Sequence, residues 1–332
     1  MKTYLLILAT ISFQMAGAQT NLQNISLSSP AFMMHRNNNY VLNKNAAFKT
    51  MENQFTYGKL RIYMLRANET YHKANRGIGN YTSLREALKG KKIRIFELGD
   101  GTVNTLEMQN ISKDTIMILA GEIVTGGKQD RVVAQDLILL PKKGKVQVSV
   151  FCVEHGRWTP ESSGNQFNAT YGVASGAVRK QAIVDKNQSK VWEKVAESNV
   201  KNKTETGTGT YAALQHSNTL NAELQKYMRH FERLIIADSN YIGFVAVTGD
   251  SIISAELFAT YQMYRKQARQ LLKAAAVEAI TNGDQVTIEG EVVMKFLNEF
   301  LNDENEQEKK VMESGTMLKN NGKKLHLNYY KK

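Results

Sequence analysis

Two short stretches of this chain carry residues that could do chemistry. The first is Gly121-Glu122-Ile123-Val124-Thr125-Gly126-Gly127-Lys128-Gln129-Asp130-Arg131, and the second is Cys152-Val153-Glu154-His155-Gly156-Arg157-Trp158. Glu122 and Glu154 each end a strand-like run beside glycines and cations. A carboxylate pair in a cleft can divide general-acid and general-base work when its two environments differ. Two structural carboxylates tied to Arg131 and Arg157 would have the same sequence. Gly126-Gly127-Lys128 departs from a phosphate-binding P-loop, because Gly127 stands where that motif needs Lys and Gln129 follows Lys128 where it needs Ser or Thr. The glycines could still let backbone N–H groups approach an anion, with Lys128, Gln129, Arg131 and Arg157 around it. An ordinary glycine-rich connection is the alternative. Trp158 could stack on a ligand ring or cap the core.

Cys152 is the only cysteine, so it is either a nucleophile or a small buried hydrophobe. In an extended strand Cys152 and Glu154 share one face and His155 points the other way, which disfavours a Cys–His dyad. The neighbouring Glu154 charge also opposes formation of the thiolate. No HExxH or paired-cysteine motif accompanies these residues, so no metal and no cofactor are expected.

The spacing of these motifs also carries a resemblance. GE, then GGKQ with an arginine two residues on, then CVE-x-GRW, resembles the ADP-ribosylglycohydrolase and rhodanese-phosphatase-superfamily-associated protein domain. Gly243-Phe244-Val245-Ala246-Val247, Leu257-Phe258 and the segment with Leu271-Leu272 extend it over residues 57–283. The resemblance implies association with ADP-ribose-processing and phosphatase-type genes, and no settled activity. An exported member would depart from that intracellular setting.

Export is what the N-terminus predicts. Lys2, the apolar run Leu5 to Phe13 and the small residues Ala16-Gly17-Ala18 read as a cleavable signal over residues 1–18, with Gln19 as the new terminus. The apolar run is shorter than the roughly 18 residues that span a bilayer, so no membrane insertion is expected and the product should be soluble, in the periplasm or outside the cell. A single cysteine gives no internal disulfide, so packing alone must hold the fold.

The elements that must position these residues follow from periodicity. Residues 19–56, rich in Asn and Ser, read as an extended lead-in. Lys59–Leu65, Lys92–Leu98, Val103–Gln109 and Thr115–Leu119 favour strands, and Ser83 with Glu86 has capping-box spacing for a short helix to Leu88. Arg131–Leu140 and Lys145–Glu154 flank Pro141-Lys142-Lys143-Gly144 and predict a long hairpin. A second hairpin is expected around Thr248-Gly249-Asp250. Apolar residues recur at helical spacing from Leu220 to Ile235, from Leu257 to Ala275 and from Val292 to Leu301, with a charged continuation from Asp303 to Lys310. A last hairpin should turn at Asn320-Asn321-Gly322. The pattern predicts an α+β fold, β-rich in its N-terminal half and helical in its C-terminal half, with residues 284–332 as a C-terminal helix and hairpin extension.

With 332 residues, 42% of them hydrophobic, the chain can bury a large core. Its net charge of +12 favours an anionic small molecule or glycan as partner. Nucleic acid is not expected, because the cations are spread along the chain without an aromatic pattern. Two function classes remain open at this point: a non-catalytic binding or envelope protein, and a hydrolase of a phosphorylated or ADP-ribose-like anionic substrate. The oligomeric state is not legible.

Overall fold

The computed structural model describes residues 54–98, 102–157, 166–204, 206–301 and 304–331, together with the backbone of the short strands Ile25–Leu27, Phe32–Met34 and Tyr40–Leu42. The expected signal over residues 1–18, most of the expected lead-in and Trp158 lie outside the described residues.

Two antiparallel sheets organise the molecule. A seven-stranded sheet runs in the order Ile25–Leu27, Leu60–Ala67, Tyr241–Thr248, Ser251–Phe258, Lys323–Tyr329, Gly315–Asn320, with Thr56–Tyr57 also paired to Leu60–Ala67. Tyr241–Thr248 and Ser251–Phe258 form the expected hairpin around Gly249, and Gly315–Asn320 with Lys323–Tyr329 the one around Asn321-Gly322. Successive side chains of a strand face opposite ways, and here both faces are covered. Phe244 and Ala246 join the core under helix Tyr261–Asn282, while Val245 and Val247 pack with Val293, Phe296 and Phe300 of helix Gly290–Leu301. The strand therefore reads as a continuous apolar run. Gly243 is required where this strand crosses its neighbour, since a Cβ there would sit 1.8 Å from the Glu256 carbonyl oxygen.

The second sheet has six strands, in the order Phe167–Val173, Glu122–Gly126, Arg131–Val133, Lys145–Cys152, Thr102–Asn110, Ile93–Leu98. A three-stranded sheet of Leu137–Leu139, Ile116–Ile118 and Thr82–Ser83 packs on it around Leu106, Val124, Val133, Val148 and Phe167. Helix Leu84–Lys89 starts at the capping box: Ser83 Oγ accepts from the Glu86 N–H, and Glu86 Oε2 accepts from the Ser83 N–H. The α+β class follows, with the N-terminal half mostly strand and the C-terminal half mostly helix.

Two elements differ from the sequence expectation. The long hairpin is broken: Arg131–Val133 pairs with Val150–Cys152, but the chain then leaves at Ala134, and Leu137–Leu139 joins the other sheet beside Ile116–Ile118. Leu257, placed in a helical stripe by its spacing, lies instead in strand Ser251–Phe258. The helix begins only after Thr260, whose side chain accepts from the Met263 N–H and caps it.

Candidate functional site

The glycine-rich turn joins strands Glu122–Gly126 and Arg131–Val133, paired Ile123 to Val132 and Val124 to Arg131. Gly126 and Gly127 both take positive φ, at 124° and 54°. A Cβ on Gly127 would lie 2.5 Å from the Phe167 ring, so only glycine fits there. The loop N–H groups are already occupied by groups of this chain. Gly126 N–H donates to Asp130 Oδ1 at 3.1 Å, Lys128 N–H to Glu97 Oε1 at 2.9 Å, and Gly127 N–H to the Gln166 carbonyl at 3.0 Å.

Arg157 binds the outside of this turn. Its Nε donates to Glu154 Oε2 at 2.9 Å, its Nη2 lies 2.7 Å from the same oxygen, and its Nη1 donates to the Gly127 carbonyl at 2.8 Å. The Nη2 group also reaches the Gly126 carbonyl and Asp130 Oδ1, each at 3.3 Å. Glu154 Oε2 takes one further donor, the Asp130 N–H at 3.0 Å. Hydrogen bonding to Glu154, opposed by burial and helped by the charges of Glu154, Asp130 and Glu97, holds the guanidinium proton more tightly than usual. Arg131 is fully buried, donating to the Gln129 carbonyl at 2.7 Å and the Val103 carbonyl at 3.2 Å, with Glu97 at 3.5 Å. Gln129 Nε2 reaches the His155 carbonyl at 3.5 Å. Thus Gly126, Gly127, Lys128, Gln129, Arg131, Glu154 and Arg157 do come together, around Asp130 and Glu97.

Glu122 belongs elsewhere. It sits four residues before Gly126 on the same strand, at the other end of the hairpin, and accepts the Leu119 N–H at 2.8 Å. The charges acting on it are Asp136, Arg179 and His326 rather than Glu154 or Arg157. Those residues form a second, fully interior network. His326 bridges Asp136 Oδ2 at 2.8 Å and Glu256 Oε2 at 3.2 Å, and Arg179 Nη1 meets Glu256 Oε1 at 2.6 Å. Burial opposes the charge on His326, but Asp136 and Glu256 outweigh it and push its pKa up to about 9. Among the described residues the Glu122 carboxyl forms no ion pair, and burial raises its pKa to about 8. Sequence reading missed Asp136, Arg179, Glu256 and His326. The available signal was a titratable residue between apolar neighbours in each of two strands, Glu256 between Ala255 and Leu257 and His326 between Leu325 and Leu327.

Cys152 is buried opposite Arg131 in the ladder, and its backbone N–H and carbonyl both bond to the Gln188 amide at 2.8 Å. Burial pushes its thiol pKa up, with Arg131 opposing and Glu97 and Glu154 reinforcing. His155 stacks edge-on against Trp192 at 4.6 Å between ring centroids. Among the described residues no cluster of three His, Cys, Asp or Glu side chains is arranged to hold a metal, and no helix is long and apolar enough to cross a membrane.

Asp130 is the residue of the first network that also lines a cleft. Its Oδ2 accepts the Thr210 hydroxyl at 2.7 Å, and it borders a cleft of about 450 Å³ with Thr125, Thr170, Tyr171, Thr206 and Thr208. Burial raises the Asp130 pKa, the Thr210 donor works against that rise, and the Glu154 charge adds to it. Sequence reading passed over Asp130, although it stands directly between Gln129 and Arg131. The threonines of the cleft come from three separate segments and give no local pattern.

Comparison with known families gives one match. The ARG and Rhodanese-Phosphatase-superfamily-associated Protein domain matches residues 50–328. No curated protein and no solved structure matches the chain.

Proposed function

The chain belongs to that family, and we propose that it is an exported, non-catalytic binding protein whose ligand, a hydroxyl-rich small molecule or glycan, sits in the threonine-lined cleft over Asp130. The observation that carries this reading is where the polar groups point. Glu154 and Arg157 spend their hydrogen bonds on the turn itself, while Thr206, Thr208 and Asp130 face the cleft. Threonine hydroxyls donate and accept, and a carboxylate accepts, which suits the hydroxyls of a sugar. Tyr171 adds an aromatic wall to the same cleft. The glycine-turn N–H groups are satisfied internally, so an anion would have to displace a carboxylate to bind there. Export is supported by the pattern of residues 1–18.

One observation favours the hydrolase reading: Asp130 is a carboxyl in a cleft with a raised pKa, as a general acid requires. A single experiment addresses both. The chain starting at Gln19 is applied to a glycan array, and hits are titrated calorimetrically with wild type, Thr208→Ala and Asp130→Asn. Saturable binding weakened about tenfold by either substitution, without conversion of the glycan, supports the binding role. Turnover abolished by Asp130→Asn supports the hydrolase, and no saturable hit on the array removes the cleft as a glycan site.

A further inference from the structure

A second opening lies between helices Asn218–Phe231 and Tyr261–Asn282, with a volume of about 570 Å³. Its polar rim is lopsided in charge. Arg229, Arg269 and Lys273 line it against a single carboxylate, Glu232, which pairs with Arg269 at 3.3 Å. Arg269 and Lys273 are four positions apart on one helix, where like charges face each other and repel. Its floor is apolar, made by Leu224 and Met228.

Lys273 is the unusual member. It is half-buried, its ammonium lies 4.4 Å from the centroid of the Tyr171 ring, and among the described residues it makes no hydrogen bond or ion pair. Lysine ammonium groups of this kind normally extend to water or meet a carboxylate. Here the contact with the ring face covers one side of the ammonium and leaves its other donors toward the groove. Burial, and then the charges of Arg85 and Arg269, lower the Lys273 pKa, so the cation is held in a locally positive and poorly solvated place. Arg229, exposed in the last turn of its helix, makes no hydrogen bond or ion pair among the described residues either.

We propose that this groove is an anion-binding site, in which Lys273, Arg229 and Arg269 receive the phosphate-type group of a small molecule whose apolar part lies on Leu224 and Met228. The anion supplies the counter-charge that Glu232 gives to Arg269 alone, and each N–H donor makes a charge-assisted hydrogen bond to an oxygen. The site does not rest on the glycan reading. It adjoins the Asp130 cleft through Tyr171, which lines that cleft on one side and supports Lys273 on the other.

The test uses phenyl phosphate as probe, titrated calorimetrically into the chain starting at Gln19 at low salt. Wild type should bind one equivalent saturably. Lys273→Gln should weaken binding at least tenfold, and Arg229→Gln, at an exposed position that leaves packing untouched, at least threefold. Lys226→Gln removes the same charge from an exposed site on the same helix, where Lys226 pairs with Glu223 at 3.1 Å, and should stay within twofold of wild type. Absence of saturable binding to wild type overturns the proposal. So does an equal loss in all three variants, which would mean attraction by net charge alone. Asp130→Asn should bind phenyl phosphate as wild type does, so failure of the glycan reading and failure of this one are separable.

Discussion

Replacing Glu154 by Gln is the sharpest test of what the carboxylates of the two motifs are for within this chain. Oε2 of Glu154 accepts three donors at 2.7–3.0 Å, two from Arg157 and one from the Asp130 N–H. Gln keeps the volume and one acceptor oxygen but removes the charge opposite Arg157. Breaking a buried ion pair from one side costs about 3–5 kcal/mol. Arg157 is partly exposed, at 23% of its side chain, and retains Asp130 as a second carboxylate, so the cost here should be nearer about 2–3 kcal/mol. At roughly 2–4 °C per kcal/mol, the melting temperature should fall by about 4–12 °C. Glu122→Gln is the control. With a pKa near 8 Glu122 is mostly neutral at pH 7, and Gln can accept the Leu119 N–H in its place, so the loss should stay below about 1 kcal/mol. Thermal melts and urea titrations of both variants at pH 7 decide the matter. If Glu154→Gln melts with wild type, or if Glu122→Gln is the more damaged of the two, the assignment of the two carboxylates to different networks is wrong.

Three further outcomes follow from the same geometry. Glu122 and His326 both have folded pKa values above their unfolded ones, so their favourable contribution is complete below the unfolded values and is lost as pH rises through about 8 and about 9. The melting temperature of wild type should therefore drop between pH 7 and pH 10, and Glu122→Gln should show a shallower drop; parallel curves would contradict the Glu122 assignment. Cys152, buried with a raised thiol pKa, should react with Ellman's reagent only after unfolding, and a fast stoichiometric reaction of the native chain would show that the thiol is accessible. Mass spectrometry of the protein recovered from its host should find Gln19 at the N-terminus, whereas an intact Met1 would refute export.

What was legible in the sequence was local. The Ser83–Glu86 capping box, the hairpin at Gly249 and the helix ending at Leu301 depend on residues within a few positions of one another, and the structure has all three. The long hairpin from Arg131 failed for a distant reason. Asp136, which looks like a solvated residue inside a strand, is drawn to Thr316 at 2.9 Å and His326 at 2.8 Å, some 180 and 190 positions away. That pull takes the chain out of the six-stranded sheet after Val133. Of the site, the glycine turn with Glu154 and Arg157 could be read because two short motifs meet across one strand pair. The cleft could not, because its threonines are assembled by tertiary contacts.

The split of Glu122 from Glu154 has a geometric cause with a structural consequence. In a hairpin the residues nearest the turn are close, and those at the open end are separated from it by roughly 3.3 Å per residue. Gly126, Asp130 and Arg131 therefore gather around Arg157 at the turn, while Glu122, at the open end, is roughly 13 Å along the strand. There it enters the network in which Asp136 comes from the segment leaving the six-stranded sheet and Glu256 and His326 come from the seven-stranded one. The Asp136–His326 and Arg179–Glu256 pairs join separate parts of the fold, so they are satisfied only when those parts are docked in one relative position. Apolar replacements of similar volume could match its stability, since buried ion pairs recover little beyond their desolvation. What such a replacement would lack is the directional demand of His326 for one carboxylate on each ring nitrogen. Within this chain the interior charges thus act on how the two sheets meet, which leaves contact with any ligand to groups bordering open space, at the Asp130 cleft and at the Lys273 groove.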